Sequence, residues 1–218
     1  MTGAAGYEQA LTVVKQALSN GVSGLGLTLG ASQQESLLQY LGLLEKWNQV
    51  YNLTAIRDVL KMVYAHLLDS LAVLPLLPEG RVLDVGTGAG LPGIPIAVAR
   101  PASVVTLLDS SHKKTAFLRQ AVADLGLRNA SVVCERVESP NAPAGFDVVI
   151  SRAFSDLGEF VSVAGRLLAP GGIMAAMKGL HPFEELERVP AGFRVTNVAP
   201  LRVPGLNAER HLVLIARA

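Results

Sequence analysis

The sequence predicts an α/β fold: a mostly parallel seven-stranded sheet with an antiparallel edge hairpin, preceded by an N-terminal helical extension. Three observations carry this expectation. Short, nearly continuous apolar strands alternate with helix-period segments from Arg81 onward, the pattern of a parallel sheet covered on both faces. A glycine-rich turn, Gly86–Gly90, directly follows the first of these strands. Near the end, two strands flank a loop containing Pro204-Gly205, which reads as a hairpin.

The bulk numbers set the limits. The 218 residues suffice for one α/β domain with an extension, and half of them are hydrophobic against 17% charged, so a substantial core is expected. The formal charge of +1 gives no vote for nucleic acid by itself, although 19 Lys and Arg leave room for a local basic patch. Cys134 is the only cysteine, so neither an internal disulfide nor a cysteine metal site is expected, which suits a reducing cytoplasm. Its bland reading is a small core residue on a strand. Met1–Gly6 lacks the pattern of a signal peptide. The apolar run Leu67–Leu77 is interrupted and shorter than the ~20 residues that span a bilayer. These features predict a cytoplasmic protein with no membrane partner.

The elements follow in order. The extension is placed at residues 1–78 and the sheet domain at 79–218. Leu11, Val14 and Leu18 have helical spacing, and the four glycines of Gly21–Gly30 predict a loop. Ser32-Gln33-Gln34-Glu35 reads as a capping box, followed by an inward stripe of Leu37, Leu38, Leu41, Leu44 and Tyr51. A third helix is expected over Val59 to Leu74, with Leu60, Val63, Leu67, Leu71 and Leu74 inward, ended by Pro75 and Pro78. Strands are expected at Arg81–Val85, Ser103–Leu108, Ala130–Cys134, Phe146–Ile150, Gly172–Met177, Phe193–Val203 and His211–Ala216. Helices are expected at Leu91–Arg100, Ser111–Leu125 and Asp156–Leu168.

The turn Gly86-Thr87-Gly88-Ala89-Gly90 lies where doubly wound sheets bind ligands, at the carboxyl end of a strand. Asp109, twenty-three residues past Gly86, ends the second strand, where a carboxylate can accept both hydroxyls of an adenosine ribose. Gly88–Gly93 also matches G-x-G-x-x-G, so a nicotinamide cofactor is the competing reading. Two features favour S-adenosyl-L-methionine (SAM). Asp84 sits in the strand end where a dinucleotide site is normally apolar, and Pro92 removes an amide that a pyrophosphate would want. The expected architecture is therefore a Rossmann-like class I SAM-dependent methyltransferase. The edge hairpin supports it by analogy.

With these motifs in hand, the chain resembles the bacterial 16S ribosomal RNA guanine-N(7) methyltransferases, the RsmG or GidB family. The matching segments are Trp47-Asn48, Asn52-Leu53-Thr54, His66–Ser70, Asp84–Pro95, Leu107–Ser110 with Lys113, Phe146–Phe154, Met177-Lys178-Gly179 and Glu209–Ile215. The extended loop through Pro95 and the Ser151-Arg152 pair are the most specific parts. The resemblance implies transfer of a methyl group from SAM to N(7) of one guanine in 16S rRNA of the small ribosomal subunit. It places Gly86 and Leu91 at the methionine and sulfonium part of the cofactor, Gly88 among the cofactor-binding residues and Asp109 on the ribose. Val137 and Glu138 would flank the adenine, and Arg152, beside the transferable methyl, would be both cofactor-binding and catalytic. It leaves Lys178, Arg202, Arg210 and His211 without roles. No metal and no obligate protein partner are expected, and a monomer suffices.

The residues after the fourth strand suit this chemistry. N(7) of guanine carries a lone pair and no proton, so in-line displacement needs no general base. Ser151-Arg152-Ala153-Phe154 stands where enzymes that methylate exocyclic amines carry an Asp/Asn-Pro-Pro-aromatic run. Arg152 is expected to hydrogen-bond the guanine edge or a phosphate, or else to pair with an acid such as Asp69 or Glu138. Phe154 stacks on the base or is core. Trp47 and His66 read more readily as packing and as a hydrogen-bonded histidine than as RNA contacts. Asp69 and Ser70 would order their helix against Asn52–Thr54. His112, Lys113 and Lys114 form either a solvated face or a phosphate contact. A SAM enzyme for a small molecule, a nicotinamide dehydrogenase and a non-catalytic RNA-binding module are the competing functions.

Overall fold

Seven strands, β1 (Arg81–Val85), β2 (Val104–Asp109), β3 (Ala130–Cys134), β4 (Phe146–Ser151), β5 (Leu168–Lys178), β6 (Phe193–Pro200) and β7 (His211–Arg217), form one sheet in the order β3-β2-β1-β4-β5-β7-β6. The computed structural model describes residues 2–152 and 154–218, with side chains from Glu8 onward. Strands β1 to β5 are parallel, and β7 runs antiparallel to both β5 and β6. The predicted sheet is thus present strand for strand. β5 starts earlier than expected, at Leu168, and reaches Gly172 through the left-handed Gly171 and a register shift against β4.

The helices are α1 (Thr2–Gly24), α2 (Ala31–Tyr51), α3 (Val59–Met62), α4 (Asp69–Leu71), α5 (Gly93–Ala99), α6 (His112–Asp124), α7 (Leu157–Ala164) and α8 (Phe183–Leu186). α3 and α4 are joined through a π-helical stretch, Val63–Leu68, so the third predicted helix exists but is locally underwound. Val63, Leu67, Leu71 and Leu74 are buried as expected, while Leu60 is only half-buried. The whole stretch Val59–Leu76 has the length and hydropathy of a membrane span, yet 61% of it is buried inside the fold. That makes it a core stretch packed among α1, α2 and α5, and a longer apolar stretch than Leu67–Leu77 alone suggests.

Two sequence expectations for the extension are corrected. Gly21 and Gly24 belong to α1, not to a loop. A Cβ on Gly21 would lie 2.1 Å from Leu68 Cδ1, so glycine there lets α1 press against the π-helical stretch. α2 begins at Ala31 behind Gly30, and Gln33 Oε1 accepts from the Gly30 N–H. Ser32 is therefore inside the helix rather than its cap. Gln33 also donates to the carbonyls of Val98 and Ala99, tying α2 to the end of α5.

The sheet separates two apolar layers. On one face Val82, Val105, Leu107, Val148, Ile150 and Ala175 pack with Ile94, Phe117 and the extension's Leu18, Leu37, Leu44 and Leu71. On the other, Leu83, Val85, Val149, Met174 and Ile215 meet Leu157, Phe160, Val161 and Ala164 of α7. The alternation along β1 and β4 is the period-two geometry of a strand. Both faces are covered, but unevenly. The extension contributes to the thick side, and β3 is left half-exposed.

The inward stripe of α2 is also shifted. Tyr51 is 45% exposed and Leu38 only half-buried, whereas Tyr40 and Asn48 are buried. Tyr40 lies one turn past Leu37 on the same face. Its hydroxyl donates to the Ala89 carbonyl at 2.6 Å, and burial pushes its pKa far up, so it remains a donor. Tyr40→Phe keeps the ring packing but orphans a buried carbonyl. We expect it to lower unfolding free energy by about 1–2 kcal/mol, read from the urea midpoint at unchanged m-value.

Candidate active site

The loop between β1 and α5 is built on three left-handed glycines, Gly86, Gly88 and Gly90. At Gly90 the conformation is reinforced by space, since a Cβ would come within 2.5 Å of Ile94 Cδ1. Beneath the loop, Asp84 is fully buried. Its Oδ2 accepts from the Thr87 hydroxyl and from the Gly93 N–H at 2.8 Å. Burial pushes its carboxyl up to about 6, against the opposing pull of those two donors. The amide that would face a pyrophosphate at the start of α5 is thus already taken by a carboxylate, and the preceding residue, Pro92, has none. With neither amide free, the start of α5 opposes a dinucleotide and leaves room for a ligand without phosphates.

Asp109 closes β2 beside the loop. Its Oδ2 accepts from the Gly88 N–H and its Oδ1 from the Ser111 N–H, both at 2.9 Å, while Lys114 Nζ lies 3.6 Å away. A cavity of about 310 Å³ opens here, lined by Gly86, Asp109, Lys114, Val137, Glu138 and Phe154 among others. Four of the predicted cofactor residues, Gly86, Asp109, Val137 and Glu138, thus share one wall-to-wall space at the carboxyl ends of β1 to β3. Gly88 reaches it through its N–H on Asp109. Leu91 is buried in the apolar core and does not line it. The carboxylates of Asp109 and Glu138 and the apolar Val137 fit an adenosine carrying a positive sulfonium. Phe154 tilts against Phe160 at 5.1 Å between ring centroids and forms part of this cavity's wall. Lys114 likewise lines this cavity.

Arg152 lies elsewhere. It lines a second cavity, about 380 Å³, with Ala65, His66, Asp69, Lys178 and Arg210. Its Nη1 donates to the Ala65 carbonyl at 3.2 Å and meets Asp69 Oδ2 at 3.4 Å. The acid pairing weighed from the sequence is therefore real, with Asp69 and not Glu138 as partner. Asp69 Oδ1 also accepts from Arg210 Nε at 2.9 Å. The segment after β4 serves both cavities: Arg152 faces the second, Phe154 the first, and Ala153 between them lies outside the described residues.

His66, from the π-helical stretch, is held by Thr54 Oγ1 at 2.8 Å on Nε2 and by the Ala65 carbonyl at 3.0 Å on Nδ1. Asn48 Oδ1 accepts from the Thr54 N–H at 2.9 Å. These residues, rather than Asp69 and Ser70, order the Asn52–Thr54 loop. Burial and then the Arg152 charge push the imidazole down to about 4, so it is neutral at pH 7. The sign follows from linkage. Below the unfolded value of 6.5 the unfolded chain takes up a proton that the folded chain refuses, so stability present above pH 6.5 is lost as the pH falls toward 4. We expect the stability difference between wild type and His66→Gln to shrink by roughly 2–3 kcal/mol over that window, measured by urea titration at each pH.

Three further residues show roles the sequence did not disclose. Lys178 Nζ donates to the Phe154 and Ser155 carbonyls and pairs with Glu185 at 2.6 Å, so it clamps the segment after β4. Tyr40 fixes the back of the glycine loop. Arg210, from the C-terminal hairpin, joins Arg152 on Asp69. Trp47 lies tilted against Phe117, 5.6 Å between centroids, in a packing role. His112 Nδ1 sits 3.3 Å from Cys134 Sγ, at a half-buried strand end rather than in the core.

Known proteins match this arrangement. A family model described as rRNA small subunit methyltransferase G, GidB, matches residues 33–213. A relative named ribosomal RNA small subunit methyltransferase G from Laribacter hongkongensis is 54% identical over 200 residues, 92% of this chain and 97% of that protein. One of the same name from Nitrosospira multiformis is 53% identical over 208 residues, 92% and 96% of the two chains. Among solved structures, a SAM-dependent methyltransferase from Aquifex aeolicus has a TM-score of 0.53 at 24% identity, over 69% of this chain and 91% of that one. TrmN from Thermus thermophilus has a TM-score of 0.57 at 23% identity, over 68% and 48%. These two share the fold, a class I SAM-dependent methyltransferase sheet. With the glycine loop and matches along nearly its whole length, the chain belongs to the rRNA small subunit methyltransferase G family, GidB.

Proposed function

We propose that this chain transfers the methyl group of SAM to N(7) of one specific guanine in 16S rRNA, within the small ribosomal subunit. The observation that carries the reading is the pair of cavities sharing the segment after β4, one holding Gly86, Asp109, Val137 and Glu138, the other lined by Arg152 and Arg210. Gly86, Asp109, Val137 and Glu138 would hold the cofactor, with Gly88 and Leu91 shaping the loop behind them. When bound, SAM supplies a methyl group on a sulfonium leaving group.

The chain's own contribution is positioning and charge. N(7) presents a lone pair, so no side chain has to remove a proton, and the neutral, doubly hydrogen-bonded His66 is not asked to. Arg152 would donate to guanine O6, which leaves N(7) open to attack, whereas a fork onto both atoms would block it. Transfer moves positive charge onto the base. The Asp69 carboxylate, shared by Arg152 and Arg210, offsets the repulsion those cations would exert. Holding the reactants in line can supply ~7–11 kcal/mol of the barrier reduction. Residues 1–78 act as the helical extension to a catalytic domain at 79–218, and the protein works as a cytoplasmic monomer without an obligate protein partner.

The test uses radiolabelled SAM with small subunits and with naked ribosomal RNA, both from cells lacking the gene. Borohydride and aniline then cleave at N(7)-methylguanine. A single new cleavage site is expected. No label in either RNA, from protein shown to bind SAM, overturns the ribosomal assignment in favour of a small-molecule acceptor.

A further inference from the structure

Asp69 is buried to 2% exposure, yet two guanidinium groups from distant parts of the chain converge on it. Arg152 arrives from the segment after β4 and Arg210 from the turn before β7. Both remain about a quarter exposed, at 27% and 25%, and both line the cavity of about 380 Å³. The charges in this cavity do not balance. Lys178 is neutralised by Glu185, and His66 is held neutral, in part by the charge on Arg152. That leaves two arginines for one carboxylate. The carboxylate engages Arg210 through Nε and Arg152 through Nη1, while Arg210 Nη1 donates to the Glu209 carbonyl. A guanidinium carries five N–H donors, so each retains donors for a further acceptor.

We propose that Arg210 binds a backbone phosphate of the RNA strand that delivers the guanine, beside Arg152 at the base itself, with Asp69 as the positioning residue for both. A phosphate supplies the missing negative charge and several acceptor oxygens, and arginine is the side chain suited to recognise it in a fork. A buried carboxylate between two arginines holds them apart from each other's repulsion and aimed at the cavity before RNA arrives. The assignment makes the extension, through Asp69, and the edge hairpin, through Arg210, parts of the substrate site. It rests on the proposed methylation of 16S rRNA.

The experiment measures KM for RNA, kcat and SAM affinity of wild type, Arg210→Gln and Arg210→Lys at several salt concentrations. Wild-type methylation of the RNA must be present first, and its absence would overturn the functional reading rather than this one. Arg210→Gln is expected to raise KM for RNA roughly ten-fold or more while SAM affinity stays within two-fold. The slope of log KM against log salt should fall by about 0.7–0.9, the signature of one lost phosphate contact. Arg210→Lys keeps the charge, so the slope should survive with a KM raised only a few-fold. An unchanged salt slope in Arg210→Gln, or SAM affinity weakened in step with KM, overturns the proposal. If the glutamine variant fails to fold, Arg210→Lys decides: a raised KM with the slope retained supports it, and an unchanged KM overturns it.

Discussion

Asp109→Ala is expected to weaken SAM binding by at least about 100-fold, the largest effect on the cofactor of any single side chain in the site. Hydrogen bonds to a charged group contribute about 1.5–3 kcal/mol each, and a ribose offers two hydroxyls to this carboxylate. The structure adds a second reason. Asp109 also accepts from the N–H groups of Gly88 and Ser111, so it holds the glycine loop and the entry to α6 in place before any ligand arrives. Losing the carboxylate therefore removes contacts and loosens the surface that makes the remaining ones. Asp109→Asn separates the two contributions. Its amide oxygen can still accept from one backbone N–H, so the loop is partly retained while the charge is gone, and a loss of about 10-fold is expected. Isothermal titration with SAM on both variants, with thermal melts to show that each is folded, gives the answer. An alanine variant that is folded and binds SAM as wild type does would remove Asp109 from the cofactor site.

The sheet was legible in the sequence because apolar strands alternating with helical segments agree with the turn chemistry from Arg81 onward, except where β5 starts early at Leu168, inside the expected helix. The glycine loop and Asp109 were legible because ligand binding at strand ends imposes a spacing that a linear reading can recover. What was not legible depends on contacts across long separations. Gly21 reads as a loop residue until Leu68 is found against it. Ser32 reads as a cap, but Gly30 and Gln33 fill that role because α2 starts two residues earlier than a Ser32 cap would place it. Tyr40 sits on a face whose leucines were recognised, yet nothing local shows that its hydroxyl meets a carbonyl forty-nine residues away. The Asp69 pairing with Arg210 spans 141 residues and joins the extension to the last hairpin. Local pattern cannot find such a pair, because either partner alone is an ordinary charged residue.

Arg152→Ala should separate binding from chemistry. Cofactor affinity is expected to stay within about 3-fold of wild type, because Arg152 lines the second cavity and not the one that holds Asp109 and Glu138. Single-turnover methylation of 16S rRNA should fall by about 100-fold, in the range seen when one placed donor is removed from a reacting centre. The stability effect should be modest. Breaking a buried ion pair is usually severe because it leaves a lone charge in a low-dielectric site. Here Asp69 keeps Arg210, and the lost side chain was 27% exposed, so about 1–2 kcal/mol is the expected drop, after allowance for screening. Pairing and catalysis therefore make different demands on the same guanidinium. If Arg152 serves only to neutralise Asp69, Arg152→Ala unfolds or melts far lower, and the folded fraction turns over at the wild-type rate. If it meets the guanine, the protein stays folded and loaded with SAM while the chemical step slows. Arg152→Lys sharpens the distinction, since an ammonium can still neutralise Asp69 but cannot reproduce the planar geometry aimed at O6, and it should remain slow while regaining most of the lost stability.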